Sequence, residues 1–228
     1  MAKFLLDSIA GFVLAGGNSS RMGFDKALAL FDGNPLVERA LLTLSEAEIP
    51  ARIAGSRSAL FAFAEVIPDT FSESGPMGGI HAGLAASQAE WNLFLPVDLP
   101  LIPASFLACL ARRALHTGAP VVASRLNGRI TPFPVVLHHS VLDHIGQLLE
   151  AGESSCHKAW RTIPEKLGTR LDAADVECLV SCGHCHDLAG LPPVFWFQSA
   201  NTPIELANLH LISKKRRPSA RMRAVQTS

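Results

Sequence analysis

The sequence predicts an α/β protein with a doubly wound, mostly parallel sheet and helices on both faces. Three observations carry this. Short apolar runs alternate with segments of helical periodicity through the first 150 residues. Three turns rich in glycine or carboxylate fall where such runs end, the usual ligand edge of an open α/β sheet. At 228 residues, 48% apolar and 18% charged, the chain is large enough for one well-filled domain and too apolar for a disordered one.

The elements read in order as follows. Gly11-Phe12-Val13-Leu14 is a buried first strand running into the loop Ala15-Gly16-Gly17. Pro35 to Ile49 carries Leu36, Ala40, Leu41, Leu44 and Ala47 at helical spacing, with Pro35 suited to a first helical position. Ala51–Ala54 is a strand, Ser58–Phe63 a helical turn or two, and Glu65–Ile67 a strand ending at Pro68-Asp69. Gly78–Ser87 reads as a helix, and Trp91–Leu95 as a buried strand stopped by Pro96-Val97-Asp98-Leu99-Pro100. A helix over Pro103–His116 ends at Gly118, and strands follow at Pro120–Ser124 and Pro134–Leu137. Ser140–Ala151 is a helix closed by Gly152. Residues 153–194 give weak signals, Val194–Phe197 reads as a strand, and Thr202–Leu211 as a closing helix.

Residues 1–213 are expected to form a single domain, with a nucleotide-binding half over about 8–117 and an acceptor-binding half over about 118–213. The second half includes a Cys/His-containing insertion at 165–193. The formal net charge is zero, which speaks against a protein that coats nucleic acid. Six basic residues lie between Lys214 and Arg223, leaving 14 bases against 20 acids in residues 1–213. Residues 214–228 therefore read as a basic, disordered tail. No apolar run reaches the length of a membrane span. The first 17 residues imitate a secretory signal, but Asp7 interrupts the apolar stretch. Five cysteines, an odd number, do not make a secreted disulfide framework, so a cytoplasmic location and a monomer are expected.

The most informative segment is Leu14-Ala15-Gly16-Gly17-Asn18-Ser19-Ser20-Arg21-Met22-Gly23-Phe24-Asp25-Lys26. Glycines after a strand let backbone N–H groups approach phosphates and purine edges, and Arg21 and Lys26 add two cations to such a site. The spacing matches neither a Walker loop nor the dinucleotide fingerprint. Asp98 follows an apolar strand and lies between two prolines, several residues too early to cap the next helix. A carboxylate presented to a triphosphate needs a bridging cation, and Mg²⁺ fills that role with few protein ligands. His81 after the Gly78-Gly79 turn is a weaker candidate. Cys178, Cys182 and Cys185 with His184 and His186 offer thiolate and imidazole donors, but one short loop is awkward for four ligands, and a structural zinc is not expected.

The thirteen-residue string resembles the signature of the molybdenum-cofactor nucleotidyltransferases, Leu-Ala-Gly/Ala-Gly-x-Ser-x-Arg-Met-Gly-x-Asp-Lys, at every fixed position. Gly75-Pro76-Met77-Gly78-Gly79 is similar to that family's Gly-Pro-Leu-x-Gly turn. Pro96-Val97-Asp98-Leu99-Pro100 is similar to its Pro-Cys-Asp-x-Pro, and Asn201-Thr202-Pro203-Ile204-Glu205-Leu206 to its Asn-Thr-Pro motif. The resemblance spans residues 10–165 and 195–210. It implies a Rossmann-like nucleotidyltransferase fold and transfer of GMP from GTP to the terminal phosphate of Mo-molybdopterin, with release of pyrophosphate. Arg21, Lys26 and Asp98 would then be catalytic. Leu14, Ala15, Gly16, Gly17, Lys26, Asp69, Gly78 and Asp98 would hold the nucleotide, and Asp98 and Asn201 the magnesium. Thr131-Pro132-Phe133-Pro134 stands where the family has a His-Pro-Thr-like segment, so the usual histidine is absent. Partners implied are GTP, Mo-molybdopterin and the molybdoenzyme apoproteins or their chaperones, with no nucleic acid and no membrane. The alternatives are a CTP-using relative, a sugar-phosphate nucleotidyltransferase, and a non-enzymatic nucleotide or cofactor delivery protein.

Overall fold

The computed structural model describes residues 8–16, 25–71, 74–187 and 190–215. The central sheet holds β1 (Ile9–Leu14), β4 (Ala51–Ala54), β5 (Val66–Ile67), β6 (Trp91–Pro96), β7 (Val121–Leu126), β8 (Arg129–His138) and β9 (Asp172–Asp175). A small hairpin of β2 (Leu30–Phe31) and β3 (Asn34–Pro35) stands apart from it. The sheet order is β5-β4-β1-β6-β8-β7-β9, and β8 alone among these strands runs against the rest. The β7–β8 hairpin turns on Asn127 (φ 48°) and Gly128 (φ 74°), the left-handed pair that a tight hairpin of matching twist requires.

Alternation along each strand sorts the core into two layers. From β1, Ile9 and Val13 face one layer while Phe12 and Leu14 face the other. The first layer is covered by α1 (Leu36–Glu46), α3 (Ala104–Thr117), α6 (Val176–Ser181) and α8 (Pro203–Lys215). The second is covered by α2 (Pro76–Ala85), α4 (Leu142–Glu150) and α5 (Cys156–Lys166). Gly118 ends α3 at φ 65°, in the left-handed conformation expected of a helix C-cap glycine.

Two expectations change. Val194–Phe197 is not a strand: Pro193–Trp196 forms a single helical turn, α7. Pro192 and Pro193 lack backbone donors, so the segment cannot extend a ladder, and Trp196 instead turns inward and donates its Nε1 hydrogen to the carbonyl of Leu191 at 2.9 Å. The weakly patterned stretch 153–194 holds three regular elements, α5, β9 and α6. Its β9 pairs in parallel with β7 and forms one edge of the main sheet. Arg113 on α3 fastens that edge with two hydrogen bonds of 2.7 Å to the Asp172 carboxylate. At the other end of the chain, α8 runs through Lys214 to Lys215, and residues 216–228 lie outside the described residues.

A close seam forms where α2 crosses β1 and β6. Phe12 and Phe94 stack with centroids 5.2 Å apart, both fully buried, and Gly83 sits directly on them. A Cβ on Gly83 would come within 2.9 Å of Phe94 and 3.0 Å of Phe12. Gly83→Ala gains about 1 kcal/mol of helix propensity but forces two buried rings apart, at about 1–3 kcal/mol. The expected outcome is net destabilisation, read as a lower urea midpoint at unchanged slope.

Candidate active site

β1 and β6 pair in parallel with Leu14 opposite Pro96, and the Val97 N–H continues the ladder by donating to the Leu14 carbonyl at 3.2 Å. The loops after both strands therefore leave the sheet side by side at its carboxyl edge. Leu14 and Ala15 are buried, and Ala15 is fixed by its N–H donating to the Ala54 carbonyl at 3.0 Å. Gly16 is exposed, and a Cβ built on it would meet nothing within 4 Å. Its backbone angle does not demand glycine either, so the missing side chain serves open space above the sheet edge. Gly17 and Arg21 lie outside the described residues.

Lys26 returns to this edge on a short 3-10 turn, Lys26–Leu28, which the Asp25 carboxylate caps by accepting from the Ala27 N–H at 3.0 Å. Asp25 is also ion-paired to Arg57. Asp25 thus works as an anchor for the turn that presents Lys26. The Lys26 ammonium donates to Asp98 Oδ2 at 2.7 Å and to Asn201 Oδ1 at 2.8 Å. Asp98 and Asn201 lie 103 positions apart in sequence, yet their loops are tied together, because the Ala200 N–H donates to the Asp98 carbonyl at 2.9 Å. Asn201 is held on both sides. Its side-chain amide donates to Ser199 Oγ at 2.8 Å, and its backbone N–H to Glu205 Oε2 at 2.9 Å. Glu205 and Thr202 form a variant of the reciprocal helix-start cap, with the Glu205 N–H donating to Thr202 Oγ1 at 3.2 Å. The Lys26 and Asp98 side chains are each 19% exposed, enough for a ligand to reach them.

Asp69 belongs to a second group on the far side of Gly16. Two strands, β4 and β1, lie between β5 and β6, which puts the strands leading to Asp69 and Asp98 roughly 14 Å apart across the edge. The Asp69 carboxylate accepts from the Phe71 N–H at 3.1 Å and lies against the first turn of α2. A Cβ on Gly78 would fall 2.5 Å from Asp69 Oδ1 and 2.8 Å from the Phe71 carbonyl. Burial raises the Asp69 pKa above 3.8, and the Phe71 N–H and the neighbouring His81 only partly offset it. His81 meets the Phe71 ring edge-on at 4.9 Å, and its buried Nδ1 has no hydrogen-bond partner among the described residues. It adjoins Asp69 and is absent from the Lys26–Asp98–Asn201 cluster.

Next to Asp98 opens a cavity of about 250 Å³, walled by Thr131, Pro132 and Phe133 of β8 and by Leu99, Phe197 and Ser199. Sequence reading named Thr131 and Phe133 only as a departure from a motif, and missed Phe197 and Ser199. Their signal was weak because the wall forms only when the chain's end folds back over β6. The Cys/His residues do not converge: among the described residues no group of three or more His, Cys, Asp or Glu side chains could hold a metal ion. Cys178 and Cys182 lie exposed on α6 and at its end, and Cys185 is buried against α3.

A family profile described as the MobA-like NTP transferase domain matches residues 11–167, more than two thirds of the chain and including the glycine loop, Asp69 and Asp98. The chain belongs to the MobA-like NTP transferase family. It is 31% identical over 166 residues to a probable molybdenum cofactor guanylyltransferase of Flavobacterium johnsoniae, covering 71% of this chain and 85% of that one. It is 28% identical over 216 residues to a probable molybdenum cofactor guanylyltransferase of a Geobacillus species, covering 90% and 99%. Among solved structures, it is similar in fold to molybdopterin-guanine dinucleotide biosynthesis protein A of Archaeoglobus fulgidus, with a TM-score of 0.72, 19% identity, and 90% and 99% coverage. A CMP:2-keto-3-deoxy-manno-octonic acid synthetase complexed with CTP shares the fold at a TM-score of 0.67, 16% identity, and 92% and 99% coverage. The MobA-like protein is thus a nucleotidyltransferase, and the doubly wound expectation and the enzyme reading both hold. Among its described residues no helix is long and apolar enough to cross a membrane.

Two glycines of the site give opposite expectations. Gly78→Ala must displace the Asp69–Phe71 turn and should cost about 1–3 kcal/mol of stability. Gly16→Ala meets open space and should change stability by no more than about 0.5 kcal/mol. Urea unfolding of both variants checks the pair. The raised Asp69 pKa gives a pH signature as well. The folded state holds that proton more tightly than the unfolded chain. Its contribution is therefore fully present below pH 3.8 and is lost as pH rises through the raised value. Asp69→Asn removes this loss, so its stability relative to wild type should increase as pH rises from below 3.8 through the raised value.

Proposed function

We propose that this protein transfers GMP from GTP to the terminal phosphate of Mo-molybdopterin, forming the guanine dinucleotide cofactor and releasing pyrophosphate. The observation that carries the reading is the convergence of Lys26, Asp98 and Asn201 within 2.8 Å, beside a glycine whose missing side chain opens onto the same edge. The curated relatives named as molybdenum cofactor guanylyltransferases support the substrate pair.

The acceptor's terminal phosphate monoester has a second pKa near 6, so its attacking oxygen is anionic at neutral pH and no protein base is needed. What remains is to neutralise charge and to align the attacking oxygen with the α-phosphorus of GTP. Gly16 offers its backbone to the nucleotide. Asp69 and Gly78 flank the nucleotide's far side, where the Asp69 carboxylate can accept from base or ribose donors. Lys26 turns from Asp98 and Asn201 to the incoming phosphates, and Arg21 adds a second cation from the same loop. The cavity walled by Phe133 and Phe197 lies on the opposite side of Asp98, and takes the flat pterin of the acceptor between apolar faces.

The donor set fits magnesium. Asp98 Oδ2 and Asn201 Oδ1 are hard oxygens that already converge on one cation, the Lys26 ammonium. Asp98 and Asn201 would hold magnesium, which would supply positive charge to the phosphates. Asp98→Asn keeps the shape and removes the anion, so turnover should fall at least about a hundredfold. GTP binding, measured by calorimetry without acceptor, should weaken much less. Near-normal turnover would remove Asp98 from the mechanism.

The choice of base rests on Gly16. A methyl group there would project into the space where a purine edge meets backbone donors, and a smaller pyrimidine tolerates it better. Equimolar GTP and CTP should give guanine product in excess, and Gly16→Ala should erode that preference by about 1–3 kcal/mol. A cytosine product in excess would replace the reading with a CTP-using transferase.

A further inference from the structure

The motif that the proposed function leaves unused is the cysteine-rich stretch after β9. We propose that Cys109 and Cys185 form a redox-active dithiol, a modification site that closes to a disulfide by exchange with a low-molecular-weight disulfide and fastens residues 182–187 to α3. The two residues are 76 positions apart, both are buried in one core cluster, and their thiols are near enough for each to perturb the other. Their approach is built into the backbone. His186 donates its N–H to Ser105 Oγ at 3.1 Å, and the Ser105 hydroxyl donates back to the His186 carbonyl. Ser105 lies one helical turn before Cys109 on the same face of α3. Clamping His186 there brings its neighbour Cys185 against Cys109.

The two sulfurs are chemically unequal. Cys185 is 1% exposed and Cys109 9% exposed, so Cys109 is the more accessible. The neighbouring Cys185 thiol, with Arg112 and Arg113 nearby, overcomes burial and lowers the Cys109 thiol to about 7, while Cys185 is pushed up in turn. This is the division between an attacking and a resolving thiol. The Cys109 thiolate attacks one sulfur of the small disulfide, forming a mixed disulfide and expelling one thiolate. Cys185 then gives its proton to solvent and attacks Cys109 Sγ, expelling the second thiolate. Two electrons pass from the protein dithiol to the small disulfide, which leaves as two thiols.

The other cysteines behave differently. Cys156, buried on the opposite face of the sheet, is pushed up to about 12 by burial alone and has no sulfur partner. Cys178 and Cys182 lie one exposed turn apart at the end of α6, the Cys182 N–H donating to the Cys178 carbonyl at 2.9 Å. Closure at Cys109 would have a structural consequence. Phe106 on the same helix lies 5.7 Å from both Trp196 and Phe197, so the face of α3 that holds Cys185 also supports the segment leading to Asn201.

The test treats the full-length protein with oxidised glutathione, blocks remaining thiols with an alkylating agent after unfolding, and maps the peptides by mass spectrometry under non-reducing conditions. The expected result is a linked pair of peptides containing Cys109 and Cys185, with the intact mass lowered by two hydrogens and restored by dithiothreitol. The link should vanish in Cys109→Ser and in Cys185→Ala and persist in the Cys178→Ser/Cys182→Ser double variant. The closed form should unfold at a higher urea concentration than the reduced form, a shift that dithiothreitol reverses. A Cys178–Cys182 link, or glutathione adducts at those two residues with Cys109 and Cys185 both alkylated, would overturn the proposal. Wild-type mapping decides it even if a variant fails to fold.

Discussion

The parallel pairing of β1 with β6 is the constraint on which the other features depend. It places Leu14 opposite Pro96, so that the glycine loop and the Asp98 loop leave the sheet from adjacent strands at the same edge. Each strand is nearly all buried, because both faces are covered by helices. The Phe12–Phe94 stack crosses the pair on one face, and Gly83 allows α2 to approach it closely. A one-residue slip would turn Phe12 and Leu14 to the wrong layer and would carry the two loops apart. The points where both loops leave the sheet are thus set by the pairing at its middle.

Around that edge two groups of side chains are kept separate. Lys26, Asp98 and Asn201 gather on the β6 side, and Asp69, Gly78 and His81 on the β5 side, with the open space over Gly16 between them. The two groups are carried by different elements, β5 with α2 on one side and β6 with the start of α8 on the other. Electrostatics differ as well. Asp98 is compensated by a direct ion pair, whereas Asp69 is held by a backbone donor in a partly desolvated pocket that raises its pKa. The first carboxylate faces a cation by construction. The second is available to accept hydrogen bonds from a ligand.

What could be read early was local. The strand-to-glycine transition at Leu14–Gly16, the proline bracket of Asp98, the helix stop at Gly118 and the Asn-Thr-Pro start of α8 each depend on backbone chemistry within a few residues. The structure places each where its pattern puts it. The Asn127-Gly128 dipeptide was an equally local signal for the β7–β8 hairpin and was passed over. The misreading of Val194–Phe197 has a different origin. Four apolar residues suit a strand or a buried turn equally, and the two prolines before them decide for the turn.

The sequence by itself determined the doubly wound class and the turns that close β1 and β6, because hydrophobic period, glycine turns and proline brackets act over a handful of positions. Tertiary structure alone decided that the Lys26 ammonium bonds both Asp98 and Asn201, that Asp25 anchors Lys26 through Arg57, and that Cys185 packs near Cys109. These contacts join segments up to 175 residues apart. They exist because sheet order and helix docking bring remote loops to one edge, and no local preference encodes such a meeting. The same holds for β9, whose four residues carry too little apolar pattern to be seen alone and become a strand only because β7 offers a free edge.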